Sequence, residues 1–308
     1  FDQILAVANS TKYGGAGYPS NEVGTYAGGN SSAPLIAIHE LGHSLGDLAD
    51  EYDYGGPTTY SGGELWEANS SILTATQMNA QQKKWFRWLN ESRSGFDGPV
   101  GTYQGSSYSQ LGVYRPSPNS MMRALGPNFN LPSAEQLIRS VYNIVKPIDG
   151  PPTPSTATPL GPTSTVSITL MQTVGNPLSV QWLRDGQPIP NATGPSFDVA
   201  SLNLRKGSTT LSVRVIDTTT MMRDEAFRAA KMTQTLTWSM PVAPCLPDLD
   251  GSRDVDDADF VRFADMYNLL LCSAIAPAEC AADFNSDGLV DDADFVFFAG
   301  AYNALACP

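Results

Sequence analysis

The chain has 308 residues, 42% of them hydrophobic and only 16% charged, enough for two domains and a small third. A formal net charge of −13 disfavours nucleic acid or an anionic membrane as partner, and no apolar run approaches the roughly 20 residues of a membrane span. The 27 glycines and 23 prolines favour a loop-rich, partly β architecture over a helical bundle.

The run Ile4-Leu-Ala-Val-Ala8 reads as a buried strand. The chain opens inside this run without the basic start and small-residue cleavage site of a signal peptide, so it is expected to be a processed chain or fragment with its true N-terminus upstream. The next element, Ala33 to Leu45, is predicted as a helix buried through Leu35, Ile36, Ile38, Leu41 and Leu45. It carries His39-Glu-Leu-Gly-His43, the only two histidines of the chain. On a helix these imidazoles lie one turn apart on one face and can share a Zn²⁺, while Glu40 beside them can hold a water and take its proton. Gly46 is expected to stop the helix and turn the chain, returning a carboxylate from Asp50-Glu51 to the metal. The competing reading of that pair is a solvated helix end, or an ion pair with Arg115 or Arg123.

Lys83 to Leu89 is amphipathic and Trp-rich. Residues 150–165 are too rich in Pro and Thr to pack a core and read as a stiff linker. Short alternating strands follow, Val166–Leu170, Leu178–Leu183, Thr210–Ile216 and Thr233–Trp238, with Asp185-Gly186 as a hairpin turn. They predict an immunoglobulin-like β-sandwich over 166–242, without a cysteine pair.

The tail from Cys245 to Pro308 holds thirteen acidic and two basic residues, so it carries −11 of the total charge. It repeats at an offset of 35: Asp256-Asp-Ala-Asp-Phe matches Asp291-Asp-Ala-Asp-Phe, and Cys245 and Cys272 map onto Cys280 and Cys307. All four cysteines lie here, which suggests disulfides and an oxidising, extracellular compartment. The expected pairs are Cys245–Cys272 and Cys280–Cys307, with pairing across the repeats as the alternative. Asp283, Asn285, Asp287, Leu289 through its carbonyl, Asp291 and Asp294 fit a calcium loop around Gly288. The first copy (Asp248, Asp250, Ser252, Asp254, Asp259) is weaker, because Arg253 replaces the turning glycine. One or two structural Ca²⁺ ions are expected.

The segment His39-Glu-Leu-Gly-His-Ser-Leu-Gly-Asp-Leu-Ala-Asp-Glu-Tyr52 resembles the signature of the bacterial IgA-peptidase-like zinc metallopeptidases. The resemblance extends to Asn9, Tyr13-Gly-Gly, Trp66-Glu-Ala-Asn69, Lys84-Trp85 and Tyr114-Arg-Pro followed by Ser120-Met-Met-Arg123. It implies a zincin-like α+β catalytic domain over 1–149, one catalytic zinc, and Asp50 as third ligand with Glu51 as the alternative. Ala49 stands where metzincins place their third ligand, so that ligand is excluded. Met121-Met122 would floor the zinc, and Tyr114 with Arg115 would contact substrate or stabilise the oxyanion. The tail is similar to dockerin-like modules of secreted bacterial proteins, which implies a cohesin-like or cell-surface partner or simple stabilisation by calcium. Together these imply a secreted endopeptidase that hydrolyses protein or peptide substrates through a zinc-bound water activated by Glu40. The rival reading is a noncatalytic extracellular adhesion or scaffold protein.

Overall fold

The computed structural model describes residues 2–161, 163–175, 178–202, 210–240, 246–250, 252, 255–270 and 280–304. It is a mixed α/β structure with several small sheets and, among the described residues, six α-helices. None of these helices is long and apolar enough to cross a membrane. The chain divides into two units, one of Phe1–Pro147, Thr173–Leu178 and Ile216–Thr233, the other of Ile148–Gln172, Ser179–Val215 and Gln234–Pro308.

The first unit opens with a three-stranded sheet of order β1-β3-β2, from β1 (Ile4–Ala8), β2 (Gly15–Tyr18) and β3 (Val23–Ala27). β1 runs parallel to β3, and β2 antiparallel to it. Helix α1 (Ala33–Ser44) packs over β3 and β2. That placement leaves β1 exposed, with Val7 at 59% and Ile4 at 46%, so the expected burial of this strand does not hold. Glycines make the close packing possible: a Cβ at Gly17 would collide with His43 Cβ, and one at Gly15 would lie 2.5 Å from Glu40 Oε1.

Helix α2 (Ala75–Gln81) starts in a capping box in which Thr74 and Gln77 satisfy each other's backbone N–H. Its Met78 joins Trp85, Trp88, Val100 and Leu131 in a buried cluster, which accounts for the Trp-rich stretch. Strands β4 (Tyr103–Ser106) and β5 (Ser109–Arg115) form a hairpin, followed by α3 (Leu131–Ile144), whose first turn is capped by Asn130. Glu135 of α3 accepts hydrogen bonds from Trp88 Nε1 and the Arg223 N–H, and Arg139 meets Asp224 at 2.7 Å. These contacts hold α4 (Glu225–Lys231), part of Ile216–Thr233, in the first unit.

The second unit contains β6 (Thr165–Ser167) paired with β9 (Ser196–Asp198). A four-stranded sheet has the order β11-β10-β7-β8, from β7 (Leu178–Arg184), β8 (Gln187–Pro188), β10 (Thr210–Asp217) and β11 (Thr233–Ser239). Asp185 and Gly186, at φ 47° and 79°, close β7 onto β8 as expected. Trp182 stacks on Phe197 at 5.3 Å and on Trp238 at 6.0 Å, so one aromatic cluster touches both sheets. The Pro/Thr-rich stretch is not a bare linker. Leu160 is buried and its N–H donates to Ser239 O, while Pro154 O accepts from Trp238 Nε1. Prolines lack an N–H but expose carbonyls, which this strand edge uses.

In the tail, α5 (Asp257–Tyr267) and α6 (Asp292–Ala304) are the repeated helices. Val255, Phe263, Val290 and Phe298 build their common core, with Phe263 and Phe298 stacked at 4.9 Å.

Candidate metal centre and active site

Helix α1 presents His39 and His43 one turn apart, as the spacing predicts. What aims the rings is backbone from elsewhere. His39 Nδ1 lies 2.9 Å from Met121 O and His43 Nδ1 lies 2.6 Å from Leu48 O. A carbonyl only accepts, so each Nδ1 carries the proton and each Nε2 of the neutral ring keeps its lone pair. Leu48 reaches this position because the chain turns at Asp47, which adopts φ 52°. Gly46, expected to supply the turn, serves close packing instead: a Cβ there would lie 2.7 Å from Gly42 O and 2.8 Å from Leu137 Cδ2.

The two Nε2 atoms are 3.2 Å apart, and Asp50 Oδ1 lies 3.1 Å from each. Three electron-pair donors thus face one another with no proton assigned between them, an arrangement that repels unless a cation occupies its centre. Ligand atoms about 2.05 Å from a tetrahedral zinc are separated by roughly 3.3 Å. The triangle therefore fits Zn²⁺ in size and in donor type, and His39, His43 and Asp50 form a group able to hold a metal ion. Burial opposes charge on both His39 and Asp50. A proton taken up between the imidazoles and the carboxylate outweighs it, raising His39 and holding Asp50 below the usual carboxylate range, and a cation at the centre stands in that proton's place.

Glu40, buried on the same helix, faces a cleft of about 450 Å³. Burial raises its carboxyl above the ordinary value, against the opposing effect of His39 and His43. The cleft wall includes Tyr13, Gly15, Tyr52, Tyr54, Arg123 and Leu125. Tyr52 is pushed up by burial, then by its hydrogen bond to Tyr54 and by Asp50, and so stays a hydroxyl donor. Arg123 Nη1 donates to Glu51 O at 3.0 Å.

Glu51, the alternative third ligand, is placed elsewhere. It is fully buried and accepts from Asn69 Nδ2 at 2.9 Å, Asn130 Nδ2 at 2.8 Å and Ser120 Oγ at 2.7 Å. Burial raises its carboxyl, with these hydrogen bonds opposing. Asp50 thus faces the two histidines while its neighbour Glu51 points into the core. Asn69 also pairs both its amide groups with the Ala49 backbone, at 2.8 and 2.9 Å, fixing the segment that carries Asp50. The Met121-Met122 step contributes its backbone as much as its side chains. Met121 O aims His39, Met122 O accepts from the Glu51 N–H, and Met122 Sδ lies directly against Gly42.

Tyr114 and Arg115 do not line the cleft. Tyr114 exchanges backbone hydrogen bonds with Ser71. Arg115 is buried and donates to the carbonyls of Gln104, Gly105 and Pro118. Strand register dedicates both to the hairpin, and the tyrosines and arginine that line the cleft are Tyr13, Tyr52, Tyr54 and Arg123. Glu64, another acid in reach by sequence, is held by Lys84 at 3.2 Å, which also donates to Glu67 O at 2.7 Å. Sequence reasoning missed Tyr108, whose hydroxyl donates to Asp50 Oδ2. It lies 58 residues from its partner in a turn of serines, so no spacing links it to the histidines.

In the tail, Asp248, Asp250 and Asp259 bring carboxylate oxygens within 4.8 Å of one another, while Asp254 lies outside the described residues. Asp259 Oδ1 accepts from the N–H groups of Leu249 and Asp250, and Asp294 Oδ1 does the same for Phe284 and Asn285. In the second loop Gly288 turns at φ 91°, and Asp283 accepts from the N–H groups of Asp287 and Gly288. In the second loop Asp283 spends its oxygens on its own loop's N–H groups, and Asn285 offers an amide oxygen where the first loop has the Asp250 carboxylate. Cys280 is not a free thiol, whereas Cys245, Cys272 and Cys307 lie outside the described residues.

Comparison with curated proteins finds no match to this chain. Residues 1–99, which contain the two histidines, Glu40, Asp50 and Asn69, match the family model described as IgA Peptidase M64, and in this part the chain is similar to that peptidase family.

Proposed function

We propose that the chain is a secreted zinc endopeptidase that hydrolyses protein or peptide substrates, with His39, His43 and Asp50 as ligands and Glu40 as general base. The observation that carries this reading is the convergence of three lone-pair donors within 3.2 Å, beside an acid on the same cleft. Zinc held there supplies a Lewis acid that polarises the scissile carbonyl and acidifies water. Glu40 takes the proton of the attacking water and returns it to the leaving amine. Tyr52 and Arg123 offer donors from the cleft wall to the oxygen that gains charge. Among the described residues β2 pairs with β3 alone, so its outer edge at the cleft suits an extended peptide added as a further strand. Hydrolysis of casein by the full chain is expected to stop on chelation and to return with added Zn²⁺. Hydrolysis that persists after complete metal removal would exclude the reading.

Residues 166–242 are read as an immunoglobulin-like sandwich, and residues 245–308 as a dockerin-like calcium module with pairs Cys245–Cys272 and Cys280–Cys307. Its two helices expose Phe260 and Val261, and Phe295 and Val296, at repeat-equivalent positions, which suits a cohesin-like or cell-surface partner. Each loop gathers around a buried aspartate, Asp259 or Asp294, that already orders loop N–H groups. Asp294→Ala is expected to remove one calcium-binding event in calorimetric titration and to leave casein hydrolysis within about twofold, because loop affinity is set by ligand count. Unchanged calcium binding would remove the second loop from the site.

A further inference from the structure

The turn joining β4 to β5 has an unusual composition. Ser106 pairs with Ser109, leaving Ser107 and Tyr108 as the two central residues, at φ 47° and 63°. Two-residue hairpin turns with positive φ at both positions favour Asn-Gly or Asp-Gly, and a bulky aromatic residue in the left-handed region costs on the order of 1 kcal/mol or more. A strained turn persists where surrounding contacts over-determine it, and here those contacts fall on Asp50, Tyr52 and Tyr54. Ser107 N–H donates to Asp50 O at 2.8 Å, and Ser106 Oγ reaches the same oxygen at 3.2 Å. Tyr108 N–H donates to Tyr52 O at 3.0 Å, and its hydroxyl donates to Asp50 Oδ2. Tyr54 stacks on the Tyr108 ring at 5.3 Å and 9°.

The two carboxylate oxygens of Asp50 are thereby divided. Oδ1 faces both histidines and Oδ2 is held by the tyrosine. We propose that the β4–β5 turn is a clamp on the third metal ligand, in which Tyr108 is a positioning residue that restricts Asp50 to one-oxygen ligation. The inference rests on the zinc reading of the His39, His43 and Asp50 group. Its chemical purpose follows from coordination number: a carboxylate ligating through both oxygens would occupy the position that a hydrolytic site keeps open. Hydrogen-bond partners of metal ligands typically contribute 10- to 100-fold in metal affinity.

The test uses the full chain and zinc alone. Tyr108→Phe keeps the ring, its stacking and the turn geometry while deleting the one hydroxyl. Its zinc dissociation constant, measured by competition with a chelator, is expected to rise about 10- to 100-fold. The thermal midpoint of the metal-free protein should stay within about 2 °C, since only one half-exposed hydroxyl is lost. In the cobalt-substituted protein, visible absorption should weaken as Asp50 turns to two-oxygen ligation and the coordination number rises. A Tyr108→Phe chain with wild-type zinc affinity and an unchanged cobalt spectrum would overturn the clamp while the zinc reading stands. A wild-type chain that binds no zinc would overturn that reading and the clamp with it.

Discussion

Glu40→Gln is expected to retain one zinc per chain and to lose peptide hydrolysis by about 10²–10⁴-fold. The group able to hold the metal is His39, His43 and Asp50, so exchanging one Glu40 oxygen for an amide leaves that donor set intact. What disappears is the basic lone pair on the cleft. The amide fits the same space, because it has the shape of the carboxylate that α1 sets against Gly15 of β2. Metal analysis after dialysis, paired with a casein assay, separates the two roles. Activity within tenfold of wild type in a zinc-loaded Glu40→Gln chain would remove Glu40 from the chemistry.

The adjacent acids Asp50 and Glu51 are expected to fail in opposite ways. Asp50→Ala should release zinc while the metal-free protein melts close to the wild-type metal-free chain. Glu51→Ala should lower the thermal midpoint by on the order of 10 °C. The difference lies in what each carboxylate satisfies. Removing Glu51 orphans buried donors on Asn69, Asn130 and Ser120, at about 1–3 kcal/mol for each group left unpaired. It also loosens the 49–51 segment against Met122, so zinc affinity falls as a consequence of lost order. Calorimetric melting of both metal-free variants checks this, and equal melting temperatures would contradict the division of labour.

Much of the site was legible because its signals are local. An apolar helix carrying the only two histidines at a one-turn spacing identifies His39, Glu40 and His43 without tertiary information. Asp50 and Glu51 have the same chemistry at adjacent positions, and only the direction of each side chain separates them. That direction is set by Asn69, Asn130 and Ser120, 18 to 79 residues away. Tyr108 is harder still, since a serine-rich hairpin turn has no periodicity pointing to a metal. In the fold, Asp185-Gly186 declared its turn because φ is positive at both residues, whereas Gly46 misled: its missing side chain is needed for close packing, and Asp47 makes the turn. The apolar run Ile4–Ala8 gave the strand and not its exposure, because covering depends on where α1 lies. The Pro/Thr composition of 150–165 likewise concealed carbonyl contacts that only a neighbouring strand edge reveals.

The central claim is that two imidazoles and one aspartate oxygen hold a single zinc. X-ray absorption at the zinc edge, on the full chain loaded to stoichiometry, tests it most directly. The expected spectrum shows two imidazole nitrogens and short-range oxygen ligation at about 2.0–2.1 Å, with no sulfur, and Asp50→Ala fails to retain the metal. Zinc bound without paired imidazole scattering, or retained equally by Asp50→Ala and wild type, would contradict it.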